Sequence, residues 1–198
     1  MLPLEKAKLS LDGLSVGDAF GEKFFGHSEM VKKFIDERQI PQSPWFFTDD
    51  TVMAMGIVEV LEKYGYIDQN ELALTFAINY SRNPRRGYGG MAHRILQEIS
   101  SGREWKKITH KVFDGMGYFG NGGAMRVAPL GAFFSDDLEK AAEQARLSAE
   151  VTHGHPEGQA GAIAIAVAAA QAFTYADRNL STSSSEILEI ALKFTPDG

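Results

Sequence analysis

The segment Glu157–Asp177, EGQAGAIAIAVAAAQAFTYAD, decides the fold. Wound as a helix it carries alanine on nearly every face, so neighbouring elements can approach closely all round, and a helix over 157–177 is expected at the centre of the molecule. Its most apolar part, Ala160–Ala170, is mostly alanine and glycine and falls short of the roughly 20 apolar residues that cross a bilayer. It reads as a buried core helix, and no membrane association is expected.

Outward from this segment the same spacing recurs. Leu4, Ala7, Leu11 and Leu14 form one helical stripe, and Val52, Met55, Val58 and Leu61 form another. Alternating strand patterns are scarce. Helix starts are predicted at Asp68 with Glu71, Asp136 with Glu139, and Ser183 with Glu186. That spacing lets a capping side chain and a returning carboxylate satisfy free N–H groups. Glycine and proline mark loops at Gly26, at Pro41 and Pro44, and over 84–90, 115–123 and 154–158. The predicted helices cover 4–20, 29–37, 50–64, 69–81, 90–101, 104–114, 137–150, 157–177 and 184–194. The fold class is therefore all-α, a compact orthogonal multi-helix bundle. The polar run Ser181–Ser185 reads as a cap rather than a linker, so one domain over 1–198 is expected.

The chain has 198 residues, enough for a sizeable core. It has no cysteine, which leaves no disulfide and no thiolate metal site. Any metal would be held by oxygen or histidine nitrogen, and hard cations become the default. A formal charge of -6 repels phosphate backbones, so general nucleic-acid binding is not expected. The start Met1-Leu2-Pro3-Leu4-Glu5-Lys6 lacks a basic region followed by an apolar core, so no secretory signal is read and a cytoplasmic location is the expectation.

Chemistry concentrates in the loops. Thr48-Asp49-Asp50-Thr51 opens a predicted helix. The threonine and aspartates can serve as cap and dipole complement. Equally, adjacent carboxylates with a hydroxyl beside them make a hard-oxygen cluster suited to Mg²⁺ or Mn²⁺, with water or substrate completing the shell. Gly120-Asn121-Gly122-Gly123-Ala124-Met125-Arg126 can bring bare N–H groups to a phosphate, or can be an ordinary Asn-Gly turn. Arg126 can pair with a diphosphate or brace the loop. Thr152-His153-Gly154-His155 can contact a ribose or phosphate oxygen or a metal, or can simply pack. Pro84–Gly90 joins basic, aromatic and glycine residues, which suits a purine, a phosphate or plain solvent. Asp18 and Glu22 share one helix face, a repulsive pair unless a cation or reactive centre lies nearby.

Taken in order, Gly17-Asp18-Ala19-Phe20-Gly21, Thr48-Asp49-Asp50-Thr51, Arg86-Gly87-Tyr88-Gly89, Gly120–Arg126 and Thr152-His153 resemble the ADP-ribosylglycohydrolase family, from about residue 9 to 175. The resemblance implies an all-α fold with a pair of Mg²⁺ or Mn²⁺ ions in a cleft. It implies hydrolysis of the bond between ADP-ribose and a modified protein side chain or small molecule. By motif, Thr48, Asp49 and Asp50 would be metal ligands, and Gly89, Asn121, Gly122, Gly123 and His153 would line the substrate cleft. Asp49 or Asp50 would be the base. Several relatives carry a catalytic glutamate where this chain has Phe25, which leaves Glu22 as the nearest acid and the third catalytic candidate. The family's second aspartate-rich motif is not found before Gly198, so the domain is expected to lack the segment that closes both metal shells. Two other roles fit the same motifs: a module that binds ADP-ribose without cleavage, and a structural, crystallin-like relative.

Overall fold

The computed structural model describes residues 1–26 and 28–196, the side chain of Met30 excepted. Asp197 and Gly198, the end of the expected domain, lie outside the described residues. Among these residues there are ten α-helices and no strand: α1 Pro3–Gly21, α2 Ser28–Asp36, α3 Asp49–Tyr64, α4 Gln69–Arg82, α5 Gly90–Ser100, α6 Trp105–Thr109, α7 Ala128–Phe133, α8 Leu138–Glu150, α9 Pro156–Asp177 and α10 Ser184–Phe194. The all-α expectation holds.

Helix α9 is the segment first quoted, and it packs against α7, α8 and α10. Small residues allow this. Ala162, Ala166 and Ala170 are fully buried, and a Cβ at Gly131 of α7 would overlap the carbonyl oxygen of Ala166. The two backbones therefore touch directly. At 22 residues with mean hydropathy 1.3, α9 is long and apolar enough to span a bilayer by length and composition, which corrects the shorter estimate from Ala160–Ala170. Its buried face is Gly158, Ala162, Ile163, Ala166, Val167 and Ala170, while Ile165 is 43% exposed, so it is packed on one side and not all round as expected.

Helix α1 packs on α7 and α3, and α3 packs on α4, which passes the contact on to α5. Of the predicted α3 stripe, Val58 and Leu61 are buried while Met55 is 40% exposed and Val52 only half-buried, and Met53, Ile57 and Val60 complete the buried face. The predicted caps at Asp68 and Ser183 are present. At α8 the cap is Asp137, which accepts from the N–H of Lys140; Asp136 instead pairs with the buried Lys6 ammonium at 2.8 Å. The predicted helix over 104–114 ends at Thr109, and a tight turn follows in which Phe113 and Asp114 take positive φ (51° and 56°). Helix α7 was not expected: it is six residues long with a proline in its first turn, where the missing N–H costs no helix bond, and burial of Pro129, Leu130 and Ala132 against its neighbours holds it.

Candidate active site

The acidic turn is assembled from two helices. Asp18, near the end of α1, reaches the start of α3 and accepts four hydrogen bonds there. They come from the N–H and hydroxyl of Thr48 (2.8 and 2.7 Å) and from the N–H and hydroxyl of Thr51 (3.2 and 2.6 Å). The first N–H groups of a helix lack internal partners and carry a partial positive charge, so a carboxylate from outside satisfies both needs. Thr48 is itself the N-cap, its hydroxyl accepting weakly from the Asp50 N–H at 3.4 Å. The capping role of this turn is thus real, but Asp18 performs most of it. Asp49 and Asp50 are left free to face the cleft.

That freedom has an electrostatic cost. Asp49 is buried (7% exposed), and burial, followed by repulsion from Asp50 and weaker repulsion from Asp18 and Glu22, pushes its pKa up to about 6. Asp50 is also raised, by burial first and then by Asp18 and Glu22. Glu22, in the 3₁₀ turn Glu22–Phe24 that follows α1, joins Asp18, Asp49, Asp50, Gly89 and Asn121 around a cleft of about 800 Å³. The donors are all oxygens, a hard set suited to Mg²⁺ or Mn²⁺. Among the described residues no group of three or more histidine, aspartate or glutamate side chains is arranged to hold a metal ion.

The loop over 84–90 serves this turn. Arg86 donates to the Phe47 carbonyl at 2.9 Å and lies over the Phe47 ring at 4.4 Å, while Tyr88 is buried edge-on against Tyr80 at 5.1 Å. Only its glycines, Gly87 and Gly89, reach the cleft wall.

Across the cleft, Asn121–Gly123 form a single 3₁₀ turn in which Ala124 and Met125 donate back to the Asn121 carbonyl at 2.9 and 3.0 Å. Asn121 lines the open cleft, and behind it Gly122 and His153 line a smaller cavity of about 70 Å³ that also touches Asp49 and Gly89. Gly123 lines neither: it is buried beneath α8 and α9, where a Cβ would sit 3.1 Å from the Gly158 carbonyl oxygen. His153 is 2% exposed, and burial, helped by the charge of Arg126, pushes it down to about 3, so its imidazole is neutral.

Arg126 resolves one open alternative. It is 0% exposed, lies 4.6 Å over the Phe76 ring, and donates to the Ser148 carbonyl and the Thr152 hydroxyl at 2.9 Å each. A guanidinium so enclosed braces the loop, and it meets the cleft only through the 70 Å³ cavity that it helps to line. Sequence reasoning missed Tyr118, stacked on His153 at 4.8 Å, and the exposed Phe113 and Phe119, 5.9 Å apart beside the glycine turn. The aromatic spacing around Gly115–Gly120 was the available signal.

The motif order, the helical fold and this cleft define one class, and the chain belongs to the ADP-ribosylglycohydrolase family, which it matches over residues 2–198. It is similar to ADP-ribosylhydrolase ARH3 of Xenopus tropicalis, 36% identical over 165 residues, covering 78% of this chain and 46% of that protein. ARH3 of Bos taurus is 37% identical over 174 residues, covering 81% and 47%. An uncharacterized protein of Archaeoglobus fulgidus is 29% identical over 199 residues, covering 96% and 61%. The chain spans less than half the length of these two ARH3 relatives.

Proposed function

We propose that this chain forms the substrate-holding cleft of a hydrolase that cleaves the bond between ADP-ribose and a modified protein side chain or small molecule. One arrangement carries the reading: an acidic turn with two uncommitted carboxylates faces a glycine turn backed by a buried imidazole, across a single cleft. The acidic turn suits the reacting ribose, and the glycine turn suits the diphosphate, whose anchoring positions the distant anomeric carbon. Exposed faces of Phe113 and Phe119 offer a stacking surface for the base.

Thr48, Asp49 and Asp50 would hold the divalent cation, Mg²⁺ or Mn²⁺. When bound, such an ion orients ribose hydroxyls and acidifies water. Asp49, buried at the junction of the cleft and the cavity behind it, would be the carboxylate that takes a proton from attacking water. Glu22, which lines the cleft, would hand a proton to the departing nitrogen or oxygen as the glycosidic bond opens through an oxocarbenium-like state.

A second reading, binding without cleavage, draws on the described residues, among which no three histidine, aspartate or glutamate side chains are arranged to hold a metal ion. Calorimetry with ADP-ribose, with and without Mg²⁺, run beside an assay of ADP-ribose release from serine- and arginine-modified peptides, separates the two. Metal-dependent binding with release is expected. Binding that survives chelation without release supports the second reading, and no binding under any condition sinks both.

A further inference from the structure

The hydrogen bonds behind the glycine turn run in one direction. Arg126 Nη2 donates to Thr152 Oγ1 at 2.9 Å. A guanidinium has only donors, so Thr152 receives this bond and must place its own hydroxyl proton elsewhere. The acceptor within reach is His153 Nδ1, 2.8 Å away. Nδ1 therefore accepts, and the single ring proton of the neutral imidazole lies on Nε2.

Nε2 is buried and makes no hydrogen bond of normal geometry, and the Gly120 backbone also acts on the ring. It faces Gly122, where a Cβ would come within 3.2 Å of it, and lies at the wall of the 70 Å³ cavity behind the cleft. The ring is held in this sense. Tyr118 stacks on it, and a Cβ at Gly158 would meet its Cδ2 edge at 3.2 Å. A buried donor without a well-formed hydrogen bond is unfavourable, and an oxygen entering from the cleft removes the deficit.

We propose that Arg126 and Thr152 form a positioning relay that holds His153 as the Nε2–H tautomer, a neutral donor aimed at an acceptor oxygen of the ligand behind Gly122. Arg126 and Thr152 also line that cavity, and in the relay they act on the ligand through the His153 ring. The identity of that ligand rests on the ADP-ribose reading above, whereas the tautomer does not.

The test uses nitrogen-15 labelled protein at pH 7, with long-range proton–nitrogen spectra of the His153 ring in the wild type, T152S and T152V, followed by titration with ADP-ribose. Thermal melts establish that each variant is folded. The Nε2–H tautomer is expected in the wild type and in T152S, and a mixture in T152V. The ADP-ribose Kd of T152V should rise about tenfold, the loss of roughly one oriented hydrogen bond, and T152S should restore it. A wild-type ring protonated on Nδ1 or on both nitrogens overturns the relay, as does a T152V spectrum identical to wild type. Mixed tautomers with undiminished affinity overturn the ligand-facing role. A wild-type Nε2–H ring in a protein that binds no ADP-ribose leaves the relay standing and removes the ADP-ribose reading instead.

Discussion

The two ends of the cleft have opposite electrostatics. At the α3 end, Asp49 and Asp50 crowd beside Asp18 and Glu22, and among the described residues no lysine or arginine forms an ion pair with any of them. At the inner end, His153 is held neutral beside a fully buried arginine. One end accumulates negative charge and lacks a cation, while the other presents an uncharged ring whose Nε2 makes no hydrogen bond of normal geometry. A ligand spanning both must bring positive charge, its own or a metal's, to the first and an oxygen to the second. An ordinary surface groove has no reason to carry two such complementary deficits so close together.

The largest test breaks the acidic end. In D49N/D50N, Mg²⁺ should no longer raise the melting temperature, and ADP-ribose release should fall roughly 10²–10⁴-fold, the usual span for losing a positioned proton acceptor. Mg²⁺ stabilisation that persists in the double variant would move the cation elsewhere.

Filling the inner end should do less. G122A sets a methyl group 3.0–3.2 Å from the His153 Cε1 and Nε2 atoms. Its ADP-ribose affinity should drop about tenfold while Mg²⁺ stabilisation stays as in the wild type. Equal losses of both would show that the two ends are not separable.

The smallest effect is on pH dependence without metal, where the ends pull in opposite directions. Asp49 is raised from 3.8 to about 6, so between those values the folded chain binds a proton that the unfolded chain does not, and stability rises as pH falls. His153 is lowered from 6.5 to about 3, so over that range the unfolded chain binds the extra proton, and stability falls as pH falls. D49N should therefore steepen the loss of melting temperature on acidification from pH 6.5, and H153Q should flatten it. Parallel profiles for the two variants would contradict both environments.

Much of this site was readable before any coordinates. The Thr48–Thr51 turn was legible both as a helix cap and as an acidic cluster because local chemistry sets both, and the central helix was legible because its alanines leave few alternatives. What escaped depends on distant partners. Nothing local to Asp18 announces that it caps a helix thirty residues on, and nothing local to Arg126 announces that it is enclosed. The start of α8 shifted by one residue because Lys6, far away in sequence, engages Asp136. Helix α7 carries the proline and glycine of a loop, and only its packing makes it a helix.

The contact between Gly131 and Ala166 has a reach beyond its own neighbourhood. It sets how near α7 lies to α9; α1 rests on α7, and the Asn121 turn rests on α9. A methyl at position 131 would act as a shim, prising α1 outward and widening the gap between Asp18 and Asn121 without altering any residue that lines it. The gauge of the cleft is thus inherited from two main chains meeting on its far side, and substitutions there could retune which ligands span it.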